Sequence, residues 1–143
     1  NGKTRTVALA AGVAVLFSDQ LGNVIKHLVE RPRPCNVLPD VHLLVGCSGS
    51  FAFPSNHAAN AFAVSTILSW KCRKVSALFF FAAIAVAFSR VYVGVHYPLD
   101  VAGGAALGLL CGAAALLLDR RYAPRVEHLL ARFTWKRRND PGT

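Results

Sequence analysis

The sequence predicts an all-α transmembrane helical bundle, with four spans visible and a basic amphipathic helix at the C-terminal end. Three observations predict it. The 143 residues are 54% hydrophobic and only 16% charged, with a mean hydropathy of +0.41, which is more apolar than an ordinary soluble domain. Val101 to Leu118 contains no charge and is long enough to approach the hydrocarbon thickness of a bilayer. The basic residues stand at the edges of the apolar segments rather than on one face interleaved with aromatics, so the net charge of +9 points to a membrane and not to nucleic acid.

The first helix is expected over about Thr6 to Val29. Lys3-Thr4-Arg5 followed by Val7 to Phe17 has the charge and length of a signal peptide, but no small-residue cleavage site follows. Instead Asp19, Asn23, Lys26 and Glu30 continue at spacings of four, three and four, which places them on one helical face. In a bilayer such a face must meet other helices or a water-filled cavity. Pro32 and Pro34 then end the helix, because proline lacks the amide donor and restricts its predecessor.

Residues 31 to 54 read as a loop rich in Pro, Gly and Ser, with a short apolar piece at Val41 to Val45. Cys35 and Cys47 both lie in it. If the loop is extracytoplasmic they can form a disulfide, and two small buried thiols would read the same way. Cys72 and Cys111 fall in other segments and are expected to stay free.

The second helix should begin at Ser55, with Pro54 and Ser55 as its start signal, and run to Trp70. Lys71-Cys72-Arg73-Lys74 is a basic turn. The third helix, Val75 to Arg90, carries Phe79-Phe80-Phe81, read as bulk facing lipid. The fourth runs from Pro98 to Leu118, with Gly104, Gly108 and Gly112 at four-residue spacing. Such a stripe of small residues lets a neighbouring helix come close.

From Asp119 onward the chain turns basic. Val126, Leu129, Leu130 and Phe133 recur at helical spacing among Arg125, Arg132, Lys136, Arg137 and Arg138, the pattern of a helix lying on an anionic membrane surface. Residues 1–119 are therefore expected to form the membrane domain and residues 120–143 a basic cytoplasmic tail. With four spans, both ends and the turn at residues 71–74 share one side, which holds twelve of the 16 Lys and Arg. Lys26, Arg31, Arg33 and Arg90 lie on the other. By the positive-inside rule the larger set faces the cytoplasm, and the smaller faces outward from the cell's inner or plasma membrane.

Three polar clusters collect at that outer face: Lys26 with Arg33-Pro34, Pro54-Ser55-Asn56-His57, and Ser89-Arg90 with His96 and Asp100. Lys26, Arg33 and Arg90 form three fixed cations with few acids to neutralise them, a setting for an anion with several oxygens such as a phosphoryl group. The helix starts near Ser55 and Pro98 add amide donors. Asp100, four residues after His96, can accept from one ring nitrogen and leave the other free to attack phosphorus. His57, from another helix, can protonate a leaving oxygen and later activate water. No third ligand accompanies the two histidines and the cations would repel a metal ion, so no metal or other cofactor is expected.

Lys26-x6-Arg33-Pro34, Pro54-Ser55-Asn56-His57 and Ser89-Arg90-x5-His96-x3-Asp100 resemble, in order and internal spacing, the three-part signature of the type 2 phosphatidic acid phosphatase superfamily, which includes vanadium haloperoxidases and glucose-6-phosphatase. The resemblance implies a metal-independent phosphatase with a phosphohistidine intermediate. It makes His96 the nucleophile, Asp100 its orienting partner and His57 the general acid and base. Lys26, Arg33, Ser55 and Arg90, with the amide of Asn56, would hold the phosphoryl oxygens; Ser89 belongs to the motif without an assigned role. Asn56 stands where the family more often has glycine.

Membrane members of the family usually have six spans, so a further pair is expected before Asn1. The resemblance implies a lipid phosphate or diphosphate as substrate, an undecaprenyl diphosphate first, then phosphatidate or phosphatidylglycerol phosphate. Two other readings fit the same residues: a phosphatase or phosphotransferase acting on a soluble ester, and a non-catalytic bundle that binds anions.

Overall fold

The computed structural model describes residues 2–39 and 43–139, with side chains placed for residues 7–39 and 43–122. Among the described residues the regular structure is helical: α1 (Gly2–Val29), a short α2 (Pro34–Val37), α3 (Asn56–Lys71), a 3-10 turn (Arg73–Val75), α4 (Ser76–Tyr92) and α5 (Pro98–Asn139). By length and apolar composition Val7–Val37, Arg73–Tyr92 and Pro98–Tyr122 can each cross a membrane. The fourth long helix, α3, has 16 residues and spans about 24 Å at 1.5 Å per residue, short of a hydrocarbon core of about 30 Å. It is the hub of the bundle, packed on α1, α4 and α5.

The interior is built from small side chains. Ala14, Ala58, Ala59, Ala63, Ala83 and Ala115 are buried, while Leu9, Leu16, Phe17, Leu110 and Leu117 are among the exposed large residues, Leu110 at 69%. This inversion suits a lipid surround, in which apolar side chains gain nothing by burial and helices associate through close contact of small residues. The predicted glycine stripe makes the closest of these contacts. A Cβ on Gly104 would collide with the Ser55 carbonyl, one on Gly108 with the Ala59 carbonyl, and one on Gly112 with Thr66 and the Ala63 carbonyl. Backbone of α5 therefore lies directly on backbone of α3, just below Asp100 and Ser55.

Several local expectations are sharpened. The face predicted on α1 turns inward at three of its four positions: Asp19 accepts from Asn56 and Asn60, Asn23 accepts from Asn56, and Lys26 reaches loop carbonyls. Glu30 instead lies past the helix end, exposed, with φ of 48°. This left-handed conformation costs a non-glycine residue about 1 kcal/mol, and it turns the chain sharply into Arg31-Pro32-Arg33. Phe79 and Phe80 are half-buried and only Phe81 is fully exposed, so the Phe run is partly packing, with Phe80 against Phe62 at 6.2 Å. The backbone of α5 continues unbroken through the tail to Asn139, where a separate helix is expected; the faces of Val126, Leu129, Leu130 and Phe133 lie outside the described side chains.

Cys35 and Cys47 are joined by a disulfide, which ties the end of the loop to α2, and Cys72 and Cys111 are free. The Phe53–Pro54 peptide is cis.

Candidate active site

The three clusters converge at one end of the bundle because each sits where a helix begins or ends. α1 delivers Lys26 in its last turn and then Arg33 past Pro32; α3 starts at Asn56, with Ser55 and His57 on either side; α4 ends just after Arg90; and the turn 93–97 brings His96 to the start of α5. Gly94, with φ of 74°, makes that turn, and the Arg90 carbonyl accepts from the amides of Val95 and His96, both at 3.3 Å. The Ser55 amide donates to the Asp100 carbonyl at 2.9 Å, which locks the start of α3 to the start of α5.

Asp100 is fully buried. Its Oδ2 accepts from the Tyr97 amide at 2.8 Å and faces His96 Nδ1 at 3.5 Å, while Oδ1 accepts from Arg31 Nη1 at 3.1 Å. On the other side of the imidazole, Arg33 Nη1 lies 3.2 Å from His96 Nε2. A guanidinium can only donate, so Nε2 accepts and the ring proton of a neutral His96 sits on Nδ1, toward Asp100. Burial first, then the charges of Arg33 and Lys26, push the His96 imidazole down from its ordinary 6.5 to about 3. The neutral ring with its lone pair on Nε2 is the form that can act as a nucleophile.

Arg33 is buried and fully engaged: Nε donates to the Ser50 carbonyl at 2.7 Å, Nη2 to Ser50 Oγ at 2.9 Å, and Nη1 also to the Val95 carbonyl at 3.1 Å. Lys26 Nζ donates to the carbonyls of Pro54 and Phe51, the latter at 3.0 Å. None of these hydrogen-bond partners is a carboxylate; the nearby negative charge acting on both side chains is that of the buried Asp100.

Lys26, Arg33, Arg90, Asn56, His57 and His96 line one cavity of about 290 Å³, closed on the loop side by Val45, Gly46, Ser48 and Ser50. No aspartate or glutamate is among its described lining residues. Of the residues singled out in the sequence, Ser55 and Asp100 stand behind the wall rather than on it. Ser55 is the N-cap residue of α3, where the sequence places the start of that helix, but its buried hydroxyl makes no capping hydrogen bond. Ser89 does not line the cavity; its Oγ donates to the Val86 carbonyl at 2.7 Å and accepts from Arg90 Nε at 3.3 Å.

The sequence reading missed two residues of this site. Ser50 holds Arg33, and Arg31 holds Asp100; a loop serine and a second arginine beside proline carry no spacing signal that would mark them. It also left Asn56 unexplained. Its side chain donates to Asp19 and Asn23, both at 3.2 Å, and packs where a Cβ on Gly22 would meet its Oδ1 at 2.7 Å. A side chain fits at this position because α1 presents a glycine and two acceptors opposite it.

Comparison with known proteins agrees with this geometry. The profile of the PAP2 superfamily matches residues 7–123. The chain is 35% identical over 108 residues to the bacitracin transport permease protein BcrC of Bacillus licheniformis, covering 76% of this chain and 53% of that protein. It is 30% identical over 112 residues to the undecaprenyl-diphosphatase BcrC of Bacillus subtilis, covering 78% and 58%. The crystal structure of a transmembrane PAP2-type phosphatidylglycerolphosphate phosphatase from Bacillus subtilis superimposes with a TM-score of 0.67 at 34% identity, covering 79% of this chain and 59% of that one. The chain spans about half the length of the curated relatives it matches. A profile match over most of the chain, with that structural likeness and three helices able to cross a bilayer, makes this chain an integral membrane member of the PAP2 superfamily.

Proposed function

We propose that the chain is the catalytic part of a membrane phosphatase that hydrolyses a lipid phosphate or diphosphate through a phosphohistidine at His96. One observation carries the reading: a single cavity gathers Lys26, Arg33 and Arg90 with His57 and a neutral His96, and no carboxylate among its described lining residues offsets the cations. A dianionic phosphoryl group supplies the missing charge, and its oxygens match the donors in number and kind.

In the mechanism, the phosphoryl oxygens are held by Lys26, Arg33 and Arg90 and by the Asn56 amide at the start of α3, while Ser55, behind the cavity wall, ties that helix start to Asp100 through its own amide. His96 Nε2 attacks phosphorus while Asp100 stabilises the positive charge that develops on the ring. His57 donates a proton to the leaving oxygen. It then takes one from the water that opens the phosphohistidine. Positioned side-chain cations here do the charge neutralisation that a metal ion performs elsewhere.

Undecaprenyl diphosphate is the first candidate substrate, followed by phosphatidate or phosphatidylglycerol phosphate; the relatives named as an undecaprenyl-diphosphatase and a phosphatidylglycerolphosphate phosphatase support the first and the last of these. The site faces outward. The excess of Lys and Arg at the opposite end supports that orientation, and so does the Cys35–Cys47 disulfide in the loop over the cavity, because disulfides persist in oxidising compartments. Residues 1–119 form the catalytic membrane domain and residues 120–143 a basic cytoplasmic tail.

The test is phosphate release by the purified full-length protein from undecaprenyl diphosphate, phosphatidate, phosphatidylglycerol phosphate and a sugar phosphate, each in excess chelator. Release from the lipid substrates with chelator present is expected. Release only from the sugar phosphate, or only after a divalent ion is restored, would overturn the proposal.

A further inference from the structure

We propose that Arg31 is a positioning residue for the Asp100–His96 pair, acting on the reaction through the carboxylate rather than by touching substrate. The proposal rests on the phosphatase reading above. Arg31 lies in the sharp turn after α1, where the Ala52 amide donates to its carbonyl at 2.8 Å and fixes its backbone against the loop. From there its guanidinium covers the Tyr97 ring, 4.3 Å from the ring centroid, and Nη1 reaches Asp100 Oδ1 at 3.1 Å.

Its charge is placed differently from the other three cations. Lys26, Arg33 and Arg90 line the cavity; Arg31 does not, and its side chain is 32% exposed on the far side of Asp100. The carboxylate thus has one oxygen for each job. Oδ2 takes the Tyr97 amide and faces His96 Nδ1, and Oδ1 takes Arg31. Among the described contacts of Asp100 the amide and Arg31 together stop the carboxylate rotating about its last bond. Without Arg31, Oδ1 would be a fully buried oxygen with no donor. The carboxylate would then turn toward the field of Lys26 and Arg33, and Oδ2 would leave the ring nitrogen it faces. Planar stacking on Tyr97 and a directed fork favour arginine over lysine at this position, although lysine still supplies a charged donor.

Arg31 also lies on a join in the fold. Its backbone belongs to the link between α1 and the loop, and its side chain grips the first turn of α5, so it couples the element carrying Lys26 and Arg33 to the element carrying the nucleophile's partner.

The experiment measures undecaprenyl diphosphate hydrolysis by the full-length protein and its Arg31→Ala, Arg31→Lys, Asp100→Ala and Arg31→Ala/Asp100→Ala variants. A partner that orients a functional histidine through a second group is worth about 10–100-fold. Arg31→Ala should therefore lower kcat by that factor with KM within about twofold, and Arg31→Lys should recover most of the loss. The double variant should be no slower than Asp100→Ala, because Arg31 has nothing left to act through. An unchanged kcat in Arg31→Ala, or a full further loss on top of Asp100→Ala, would overturn the proposal.

A second measurement does not depend on turnover. ¹⁵N NMR of the His96 ring should find the proton on Nδ1 in both proteins, because Arg33 still donates to Nε2, but with the Nδ1 resonance shifted and its proton exchanging faster in Arg31→Ala, where Asp100 no longer faces it; an Nδ1 signal unaltered in that variant also contradicts the role. A parent that releases no phosphate contradicts the phosphatase reading instead, and the ring spectrum then decides the role of Arg31 alone.

Discussion

Arg33 Nη1 lies 3.2 Å from His96 Nε2, with both side chains buried, so the lone pair proposed to attack phosphorus is occupied by an arginine before any substrate arrives. The same guanidinium is held by Ser50 through Nε and Nη2. An arriving phosphoryl group offers Nη1 an anionic acceptor in place of a neutral imidazole, which adds ion-pair attraction to a bond whose donor is already charged. Substrate binding thereby frees the nucleophile.

Arg33→Ala should lower kcat by about 10²–10³, the usual cost of removing one donor aimed at transition-state charge. Ser50→Ala should cost only about two- to tenfold, the worth of one neutral hydrogen bond that orients the same group. Steady-state rates on a lipid diphosphate check both, and equal losses in the two variants would separate Arg33 from the reacting oxygens.

The depressed His96 pKa has a consequence for stability with a definite sign. The folded ring stays neutral down to about 3, whereas the unfolded ring takes up a proton near 6.5. The unfolded state thus binds more protons in that window, and His96 contributes stability above about pH 6.5 that is lost as the pH falls toward 3. Thermal unfolding in detergent at pH 7 and pH 4 should show a larger acid loss for the parent than for His96→Asn. An identical loss in both would place the acid sensitivity elsewhere.

Gly108→Ala sets a Cβ against the Ala59 carbonyl and should push α5 off α3, at about 1–3 kcal/mol. Because the Ser55 amide is hydrogen-bonded to the Asp100 carbonyl, the same separation should also reduce activity. A Cβ on Gly12 meets nothing within 4 Å, so Gly12→Ala should leave both unchanged or stabilise α1 slightly. Melting temperatures and turnover of the two variants in parallel give the comparison.

Much of this site was legible in the sequence, for a physical reason. Lys26, Arg33, His57, Arg90, His96 and Asp100 are fixed by helix ends and short turns, so spacing along the chain predicts their convergence. The glycine stripe on α5 was legible in the same way, since residues four apart share a face. Arg31 and Ser50 were not, because their contacts depend on the path of an irregular loop. The continuation of α5 beyond Asp119 escaped because the change from apolar to basic residues marks a change of surroundings, not a break in backbone hydrogen bonding. The side chain of Asn56 could be understood only once Gly22 was seen opposite it.

The most direct test of the central claim is to quench the full-length protein during turnover of a ³²P-labelled lipid diphosphate and look for label on the protein. An acid-labile, base-stable phosphoenzyme should form in the parent and be absent in His96→Ala. The same label, undiminished in His96→Ala, would contradict the assignment of His96 as nucleophile.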